Sequence, residues 1–153
     1  MGSPPLQGSF KPNTDGFYDV GLRTGNAGGL IRDCHGSWVV GFQRKNVTAS
    51  SSTVVECRAL RDVLQLARER NLQGICVETD SMTSVQLISK KEMGSHEFSN
   101  IFSDCRVLLD RLKAKVHHVY REANRSADAI AKANFSNICN SLVVIQSIDS
   151  ELY

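Results

Sequence analysis

Several features that would assign a chain to a special class of protein are missing from this sequence of 153 residues. It contains no run of about 18 apolar residues, so no membrane-spanning helix is predicted. Its first residues, MGSPP, lack the basic and apolar segments of a signal peptide. The net charge of +2 is too small to predict nucleic-acid binding by itself.

Cysteine is also absent from the patterns that bind zinc or form disulfides. The five cysteines include no C-x-x-C pair and are odd in number, which disfavours both a zinc site and a disulfide framework. Cys57 and Cys76 lie in apolar runs, so we interpret them as small core residues. This use of cysteine predicts an intracellular, reducing compartment, without resolving nucleus, cytoplasm or organelle.

Length and composition indicate one soluble globular domain with a sizeable core. Hydrophobic residues make up 41% and charged residues 22% of the chain, both ordinary values for such a domain. Residues 1–9 are predicted to be a flexible, irregular N-terminus, and residues 1–3 resemble a cloning remnant, so we expect a domain taken from a longer protein. The domain itself is expected at 10–134, followed by a tail at 135–153.

The predicted elements follow the order βββ-α-β-α-α-β-α, which favours a mixed sheet with helices on its faces. The first three strands form an antiparallel meander, with a tight turn at His35-Gly36. Residues 142–145 are an apolar run in the tail that fits either a strand or a helix. The predicted strands are 10–20, 27–34, 37–45, 75–79 and 115–120, and the predicted helices are 55–70, 81–90, 100–112 and 125–134.

Four carboxylates occur where a lone acid is usually avoided, beside an apolar strand or on the inner face of a helix. Acids in such places must be paired, protonated or bound to a cation, and few basic residues are near them in sequence. Carboxylate oxygens gathered with open coordination positions suit Mg²⁺ or Mn²⁺. The sequence therefore predicts a divalent metal site made by Asp15, Glu56, Asp80 and Asp128.

The first two of these acids also have structural interpretations, which the sequence leaves open. Asp15 precedes Gly16, and this pair is typical of turns and bulges. Glu56 could close a capping box by reaching back to Ser52 or Thr53. The capping box explains the position of Glu56 but not the apolar residues that share its helical face.

The other two acids have equally ordinary alternatives. Asp80 follows an apolar strand, where α/β proteins often place ligand-binding groups, but it could also cap the helix predicted from residue 81. Asp128 lies one turn into a helix, where an acid complements the helix dipole. Each acid alone has a structural explanation, and the combination of four carries the prediction.

The four acids fall within segments that resemble the ribonuclease H family. These segments are KPNTDGF (11–17), AGGLIRDCHGSWVVGF (27–42), ECRAL (56–60), VETDS (77–81) and HVYREANRSADAIAK (118–132). They are most similar to ribonuclease H-like domains of plant non-LTR retroelement type. The resemblance implies an α/β ribonuclease H-like fold whose five-stranded mixed sheet has three antiparallel and then two parallel strands, flanked by about four helices.

The resemblance also implies a mechanism, which is two-metal hydrolysis of the RNA strand of RNA/DNA hybrids by an endonuclease, giving 5′-phosphate and 3′-hydroxyl ends. The family's ligands fall on Asp15, Glu56, Asp80 and Asp128, which would hold two Mg²⁺ or Mn²⁺ ions. Glu56 would help to sense the 2′-hydroxyl, the group that distinguishes RNA from DNA. Little sequence preference is expected, because contacts to the backbone do not read bases.

Positions that contact the hybrid in the family are matched here by a further set of residues. Met82 replaces a residue that is often polar, and the loop before Asp128 is short, without the histidine of bacterial-type members. The pair Lys90-Lys91 supplies less positive charge than the basic protrusion of some members, so weak substrate affinity is expected. The predicted nucleic-acid contacts are Asn13, Ser52, Thr53, Met82, Arg121 and Asn124.

Two other functions remain open. The chain could be a weakly active or inactive ribonuclease H-like domain, derived from a retroelement, that binds nucleic acid or another protein. It could also be an exonuclease, or a nuclease for other structured nucleic acids, since a shared fold does not fix the substrate. His117 and His118 are interpreted as packing or surface residues. In each case we expect a monomer that does not bind membranes.

Overall fold

The computed structural model of the chain describes residues 10–89, 99–133 and 140–146. The predictions for residues 1–9, for Lys90-Lys91 with the loop that follows, and for most of the tail lie outside these ranges. Among the described residues, no helix has the length and apolar character needed to cross a membrane.

The first three strands form the predicted antiparallel meander. They are β1 (Lys11–Asp19), β2 (Thr24–Arg32) and β3 (Trp38–Thr48). The turn between β2 and β3 is built by Asp33, whose Oδ1 accepts hydrogen bonds from the backbone N–H groups of His35 and Ser37. Gly36 has a φ of 81°, a conformation that glycine adopts without strain.

Two short strands extend the sheet on the side of β1. Strand β4 (Cys76–Thr79) pairs in parallel with β1, and β5 (Lys115–His118) pairs in parallel with β4. Parallel pairing requires a crossover connection, and the helices described below supply it. The carboxyl end of β4 therefore lies beside the middle of β1, because Thr79 pairs with Thr14.

The sheet of the described residues has six strands, one more than predicted, in the order β5-β4-β1-β2-β3-β6. The additional strand, β6 (Leu142–Ile145), pairs antiparallel with β3. It is the apolar run of the tail, and it covers the edge of β3 that would otherwise be open. The end of β6 is held by Trp38, whose indole N–H donates a hydrogen bond to the carbonyl of Gln146 at 3.0 Å.

Four α-helices are found in the described residues, as the sequence predicts. Helices α1 (Ser52–Glu69), α2 (Met82–Ser89) and α3 (Ser99–Leu112) pack together on one face of the sheet. Helix α4 (Arg125–Lys132) follows a short 3-10 helix (Arg121–Asn124) and packs on the opposite face against β1, β2 and β3. Helix α1 begins three residues earlier than predicted, with Ser51 as the N-cap residue.

Each face of the sheet has its own apolar core. The larger core lies under α1 and α3 and contains the predicted inner face of α1, namely Leu60, Val63, Leu64 and Ala67. Cys57 is fully buried as predicted, whereas Cys76 is only partly buried. The smaller core, under α4, consists of Leu30, Ala127, Ile130 and Ile145.

Helix α4 lies unusually close to the sheet. A Cβ atom added to Gly28 of β2 would come within 2.6 Å of the backbone nitrogen of Ala131, so only glycine fits at this position. The contact lies beside Asp15, because Gly28 pairs with Asp15 across β1 and β2.

Candidate active site

Four different elements bring the predicted acids to one place. Asp15 is in β1, directly after the residues that pair with β4; Asp80 follows the last residue of β4. Glu56 is in α1 and Asp128 is in α4, so the two faces of the sheet each contribute one acid. The resulting acidic cleft has a volume of about 230 Å³, and its charged residues are Asp15, Glu56, Asp80, Arg121, Asp128 and Lys132.

The turn or bulge interpretation of Asp15-Gly16 is wrong. The pairing of β1 with β2 continues without a break through Asp15, opposite Gly28, and Gly16, opposite Ala27. The glycine has a different use, because a Cβ atom there would lie 3.0 Å from the backbone nitrogen of Glu56. Gly16 therefore lets the start of α1 approach β1, and this approach carries Glu56 toward Asp15.

The capping-box interpretation of Glu56 is also wrong. Because Ser51 is the N-cap residue and α1 begins at Ser52, Glu56 lies in the second helical turn, beyond the capping-box position. Its Oε2 atom is buried and has no hydrogen-bond partner. A buried carboxylate oxygen without a partner is costly, and a bound cation would remove that cost.

Asp80 does not cap the helix that follows it. The cap is formed by Ser81, whose Oγ accepts a hydrogen bond from the backbone N–H of Ser84 at 3.2 Å. Asp80 instead lines the acidic cleft, where its Oδ2 lies 3.7 Å from Nε of Arg121. The guanidinium group of Arg121 is largely exposed, with 88% of its side-chain surface accessible.

Asp128 lies in the first turn of α4, as the helix-dipole interpretation requires, and it also lines the acidic cleft. Its carboxylate is 3.2 Å from Nζ of Lys132, one turn further along the helix. It also shares a hydrogen bond with Asp15. Sequence reasoning missed Lys132, although the Asp-x-x-x-Lys spacing is a known signal for an ion pair on a helix.

The electrostatics of the cleft differ among its acids. Burial, the hydrogen bond with Asp128 and the nearby charges of Glu56 and Asp80 raise the pKa of Asp15 to about 9. Burial and the charge of Asp80 raise the pKa of Glu56 to about 8. Burial opposes ionisation of Asp128 too, but hydrogen bonds with Asp15 and Lys132 prevail and lower its pKa. If all four acids were ionised, the cleft would hold more negative charge than Arg121 and Lys132 compensate, and this is why two of the pKa values are raised.

The donor set of the cleft fits a hard divalent cation. Asp15, Glu56 and Asp80 each offer one carboxylate oxygen, and these atoms lie within 4.8 Å of one another. Oxygen donors of this kind suit Mg²⁺ or Mn²⁺. A divalent cation would give the buried Oε2 of Glu56 a partner and would lower the pKa values of Asp15 and Glu56.

Two of the predicted nucleic-acid contacts are buried. Asn13 and Asn124 are each only 1% exposed. The amide of Asn13 donates to Oδ1 of Asn124 at 3.1 Å and to Oε1 of Glu78 at 2.9 Å, and Asn124 donates to the carbonyl of Thr14 at 2.6 Å. This placement does not support direct contact with a nucleic acid. The two amides instead join β1, β4 and the start of α4 around the acidic cleft.

The other predicted contacts are accessible. Ser52 is exposed and Thr53 is half-buried at the start of α1, and Met82 is 46% exposed at the start of α2. Arg121 is at the rim of the acidic cleft. His117 is exposed, and His118 makes an edge contact with the ring of Tyr120 at 5.8 Å, in line with the packing and surface interpretations.

Comparison with known proteins gives a family and a relative. Residues 13–134 match the model of a family described as reverse transcriptase-like. A candidate ribonuclease H protein of Arabidopsis thaliana is 34% identical over 133 residues, which are 86% of this chain and 21% of that protein. The chain therefore spans about a fifth of the length of this curated relative.

Solved structures of ribonucleases H share the fold. The N-terminal RNase H domain of rv2228c from Mycobacterium tuberculosis superposes with a TM-score of 0.72 at 19% identity, covering 80% of this chain and 89% of that one. RNase H1 from Halobacterium salinarum gives 0.71 at 21%, covering 80% and 93%. LC11-RNase H1 in complex with an RNA/DNA hybrid gives 0.63 at 18%, covering 79% and 92%. At these identities the likeness shows the fold alone.

Proposed function

Since the chain belongs to the reverse transcriptase-like family and has the ribonuclease H fold, we propose that it is a metal-dependent endonuclease for the RNA strand of RNA/DNA hybrids. The observation that carries this proposal is the convergence of four acids in one cleft, with the Oε2 of Glu56 buried and unpartnered. Such a cluster is costly to fold around unless it binds cations, and hydrolysis of phosphodiesters is a common use of paired divalent ions.

The chain's own residues divide the task of holding two ions. Asp15, Glu56 and Asp80 would hold one ion, because their oxygens already lie together. Asp128, which is hydrogen-bonded to Asp15, would hold the second ion together with that residue. When bound, divalent ions at such a site activate a water and stabilise the charge that develops on the leaving 3′-oxygen. The products would carry 5′-phosphate and 3′-hydroxyl ends.

The rim of the acidic cleft supplies groups that would position the substrate. Arg121 is exposed, and its guanidinium can contact a phosphate oxygen next to the scissile bond. Ser52 and Thr53 at the start of α1 would contact the hybrid backbone, and Met82 would pack against it. Glu56 would accept a hydrogen bond from a 2′-hydroxyl and so favour RNA over DNA.

A second candidate function, an inactive domain that binds nucleic acid, is favoured by one observation. Two of the four acids already have a basic neighbour, since Lys132 pairs with Asp128 and Arg121 lies near Asp80. If these basic residues compensated the negative charge of the acidic cleft, divalent ions would bind weakly and cleavage would be slow. The two functions differ in their response to divalent ions. A nuclease would cleave the hybrid when the ions are added, whereas an inactive domain would bind the hybrid without cleaving it.

The test is cleavage of a labelled strand offered as RNA/DNA hybrid, double-stranded RNA or single-stranded RNA, with Mg²⁺, Mn²⁺ or EDTA. A strand in which a short RNA segment is flanked by DNA tests endonuclease action, because it has no RNA terminus. We expect metal-dependent cutting of the hybrid alone, within the RNA segment, and its loss in Asp15→Asn. Binding of the hybrid without cutting under any metal would favour the inactive domain instead.

A further inference from the structure

A second cleft lies on the face of the sheet that α1 and α3 cover, and arginines line it. Its walls come from α1, α3, β3 and β6, and its volume is about 440 Å³. Four arginines line it, namely Arg44, Arg61, Arg68 and Arg111. We call it the arginine cleft.

The arginine cleft is separate from the acidic cleft. The two clefts have no lining residue in common. Its residues on α1 are Arg61 to Arg68, which follow Glu56 by one to three helical turns, or about 7–18 Å along the helix axis. A ligand of small-molecule size in the arginine cleft would therefore not reach the metal-binding acids.

Two of the arginines are paired within the protein. Arg44 makes a two-fold contact with Asp62, at 2.8 Å from Nε and 3.0 Å from its terminal nitrogen. Arg61 pairs with Asp104 at 3.1 Å. These pairs use the two aspartates of the cleft, so the guanidinium groups that remain have no carboxylate among the lining residues.

The side chains of the other two arginines lack partners among the described residues. Arg68 and Arg111 are exposed, and neither guanidinium group makes a hydrogen bond or ion pair there. The neighbouring Arg58 has a buried Nε atom with no hydrogen-bond partner. Burial and the nearby charges of Arg61 and Arg44 lower the pKa of Arg58. Positive charge is thus concentrated here beyond what the two lining aspartates compensate.

The cleft also has an apolar part. Val107 is 48% exposed, and Leu108 and Leu142 complete this part of the lining. A volume of about 440 Å³ is ordinary for a small-ligand site, which usually combines an apolar lining with a few polar groups. The arrangement suits a ligand that joins a flat ring to an anion, because a guanidinium binds phosphate through two parallel hydrogen bonds and also stacks on rings.

We propose that the arginine cleft binds a nucleoside phosphate, with the phosphate on Arg68 and Arg111 and the base against Val107 and Leu142. The ligand is either a free nucleotide or one nucleotide unit of an RNA or DNA strand. This proposal is independent of cleavage at the acidic cleft. In the second case the arginine cleft would add a contact for nucleic acid at a distance from the cutting site, on a chain whose net charge is only +2.

The experiment is a binding titration of the full chain with ADP, with ATP and with a single-stranded oligonucleotide. It is done in EDTA, because a divalent ion could otherwise recruit the same phosphates to the acidic cleft. The test variant is the double substitution Arg68→Gln and Arg111→Gln. The control is Arg125→Gln, which removes an exposed arginine from α4 on the opposite face of the sheet. Backbone NMR shifts at Val107 and Leu108 report where the ligand binds.

We expect the double variant to weaken binding at least ten-fold while Arg125→Gln changes it less than two-fold. Loss of ADP or ATP binding with shifts at Val107 and Leu108 supports a free nucleotide as the ligand. Loss of oligonucleotide binding only, with the same shifts, supports a strand. Equal binding by the double variant and the unchanged chain, or no binding of any of the three probes, overturns the proposal. Unchanged melting temperatures of both variants ensure that the comparison is between folded proteins.

Discussion

Asp15 is the residue in the acidic cleft with the strongest need for a cation. It is 5% exposed in the middle of a paired strand, and three other acids are close to it. Its neighbours cannot move away, because Asp15 is in an unbroken ladder and Glu56 is on a helix that packs against Gly16. A neutral amide of the same shape would therefore remove repulsion and remove the proposed metal ligand at the same time.

We expect Asp15→Asn to affect activity and stability in opposite directions. Cleavage of the hybrid should slow at least about a thousand-fold, which corresponds to roughly 4 kcal/mol in the activation barrier. In EDTA at pH 8 the melting temperature should rise, because the raised pKa of Asp15 shows that its charged form is disfavoured there. The control Asp110→Asn changes an exposed acid of α3 and should alter neither quantity. Retained turnover in Asp15→Asn would be inconsistent with the metal assignment.

Lys132 is the second residue whose role can be isolated. Its ammonium group pairs with Asp128 at 3.2 Å and also lies 5.6 Å from the centre of the Phe17 ring. An ion held by Asp128 would meet this positive charge. Because the pair is partly exposed, its energy is small, typically below about 1 kcal/mol.

Lys132→Met should therefore tighten binding of Mn²⁺ by a modest factor, up to about five-fold. Electron paramagnetic resonance of free Mn²⁺ measures this without requiring cleavage. Lys113→Met, which removes an exposed lysine after the end of α3, is the matched control and should leave Mn²⁺ affinity unchanged. An equal affinity in both variants would mean that Lys132 does not compete with an ion at Asp128.

Residue-level details of the site were only partly predictable. The four acids were recognisable because each is adjacent to apolar sequence, and the structure brings them into one cleft. The amides of Asn13 and Asn124 were predicted to contact nucleic acid, but they bond to each other across 111 residues of sequence. No pattern in the neighbouring sequence of either residue predicts such a pair. Similarly, Asp80 and Ser81 are both good N-caps, and only the hydrogen bond to Ser84 identifies the one that caps.

At the scale of elements, the position of α4 controls the geometry of the site. Helix α4, which carries Asp128, packs directly on β2 at Gly28, the residue that pairs with Asp15, and a Cβ atom there would lie 2.6 Å from the backbone of Ala131. Backbone atoms cannot yield as a flexible side chain can. A methyl group at residue 28 must therefore push the helix away from the sheet.

Gly28→Ala should lower the free energy of unfolding by about 1–3 kcal/mol, as expected for overpacking. It should also slow cleavage and weaken Mn²⁺ binding, since Asp128 moves with α4. Gly21→Ala is the control, because the nearest atom to its added methyl group is a flexible Oδ1 of Asp19 at 3.3 Å. Denaturant unfolding measures stability, and the Mn²⁺ titration is done under conditions where both variants are folded. Wild-type stability in Gly28→Ala would contradict the packing that we describe for α4.

Periodicity was sufficient to predict the long elements but not the last strand. The inner face of α1 and the meander have clear periods, and both are confirmed. The run at 142–145 is too short and too uniformly apolar to show a period. Its state depends on the free edge of β3, a tertiary feature that local sequence does not contain.

At the scale of the whole molecule, the acidic cleft makes stability depend on pH and metal together. The pKa of Asp15 is raised from 3.8 to about 9 and that of Glu56 from 4.5 to about 8. At pH values between the ordinary and the raised pKa of each acid, the folded protein binds more protons than the unfolded chain. Stability must then fall as pH rises, since its slope follows the protons bound by the unfolded state minus those bound by the folded state.

We expect the melting temperature in EDTA to decrease from pH 5 to pH 8. A loss of about 2 kcal/mol would correspond to roughly 4–8 °C for a domain of this size. Divalent ions bind the ionised acids, so Mg²⁺ should raise the melting temperature more at pH 8 than at pH 5. The double variant Asp15→Asn with Glu56→Gln should flatten both dependences, because it removes the two groups whose pKa values differ most from their ordinary ranges. A melting temperature in EDTA that rises from pH 5 to pH 8 would show that the cleft is compensated without metal, which is the condition for the inactive binding domain.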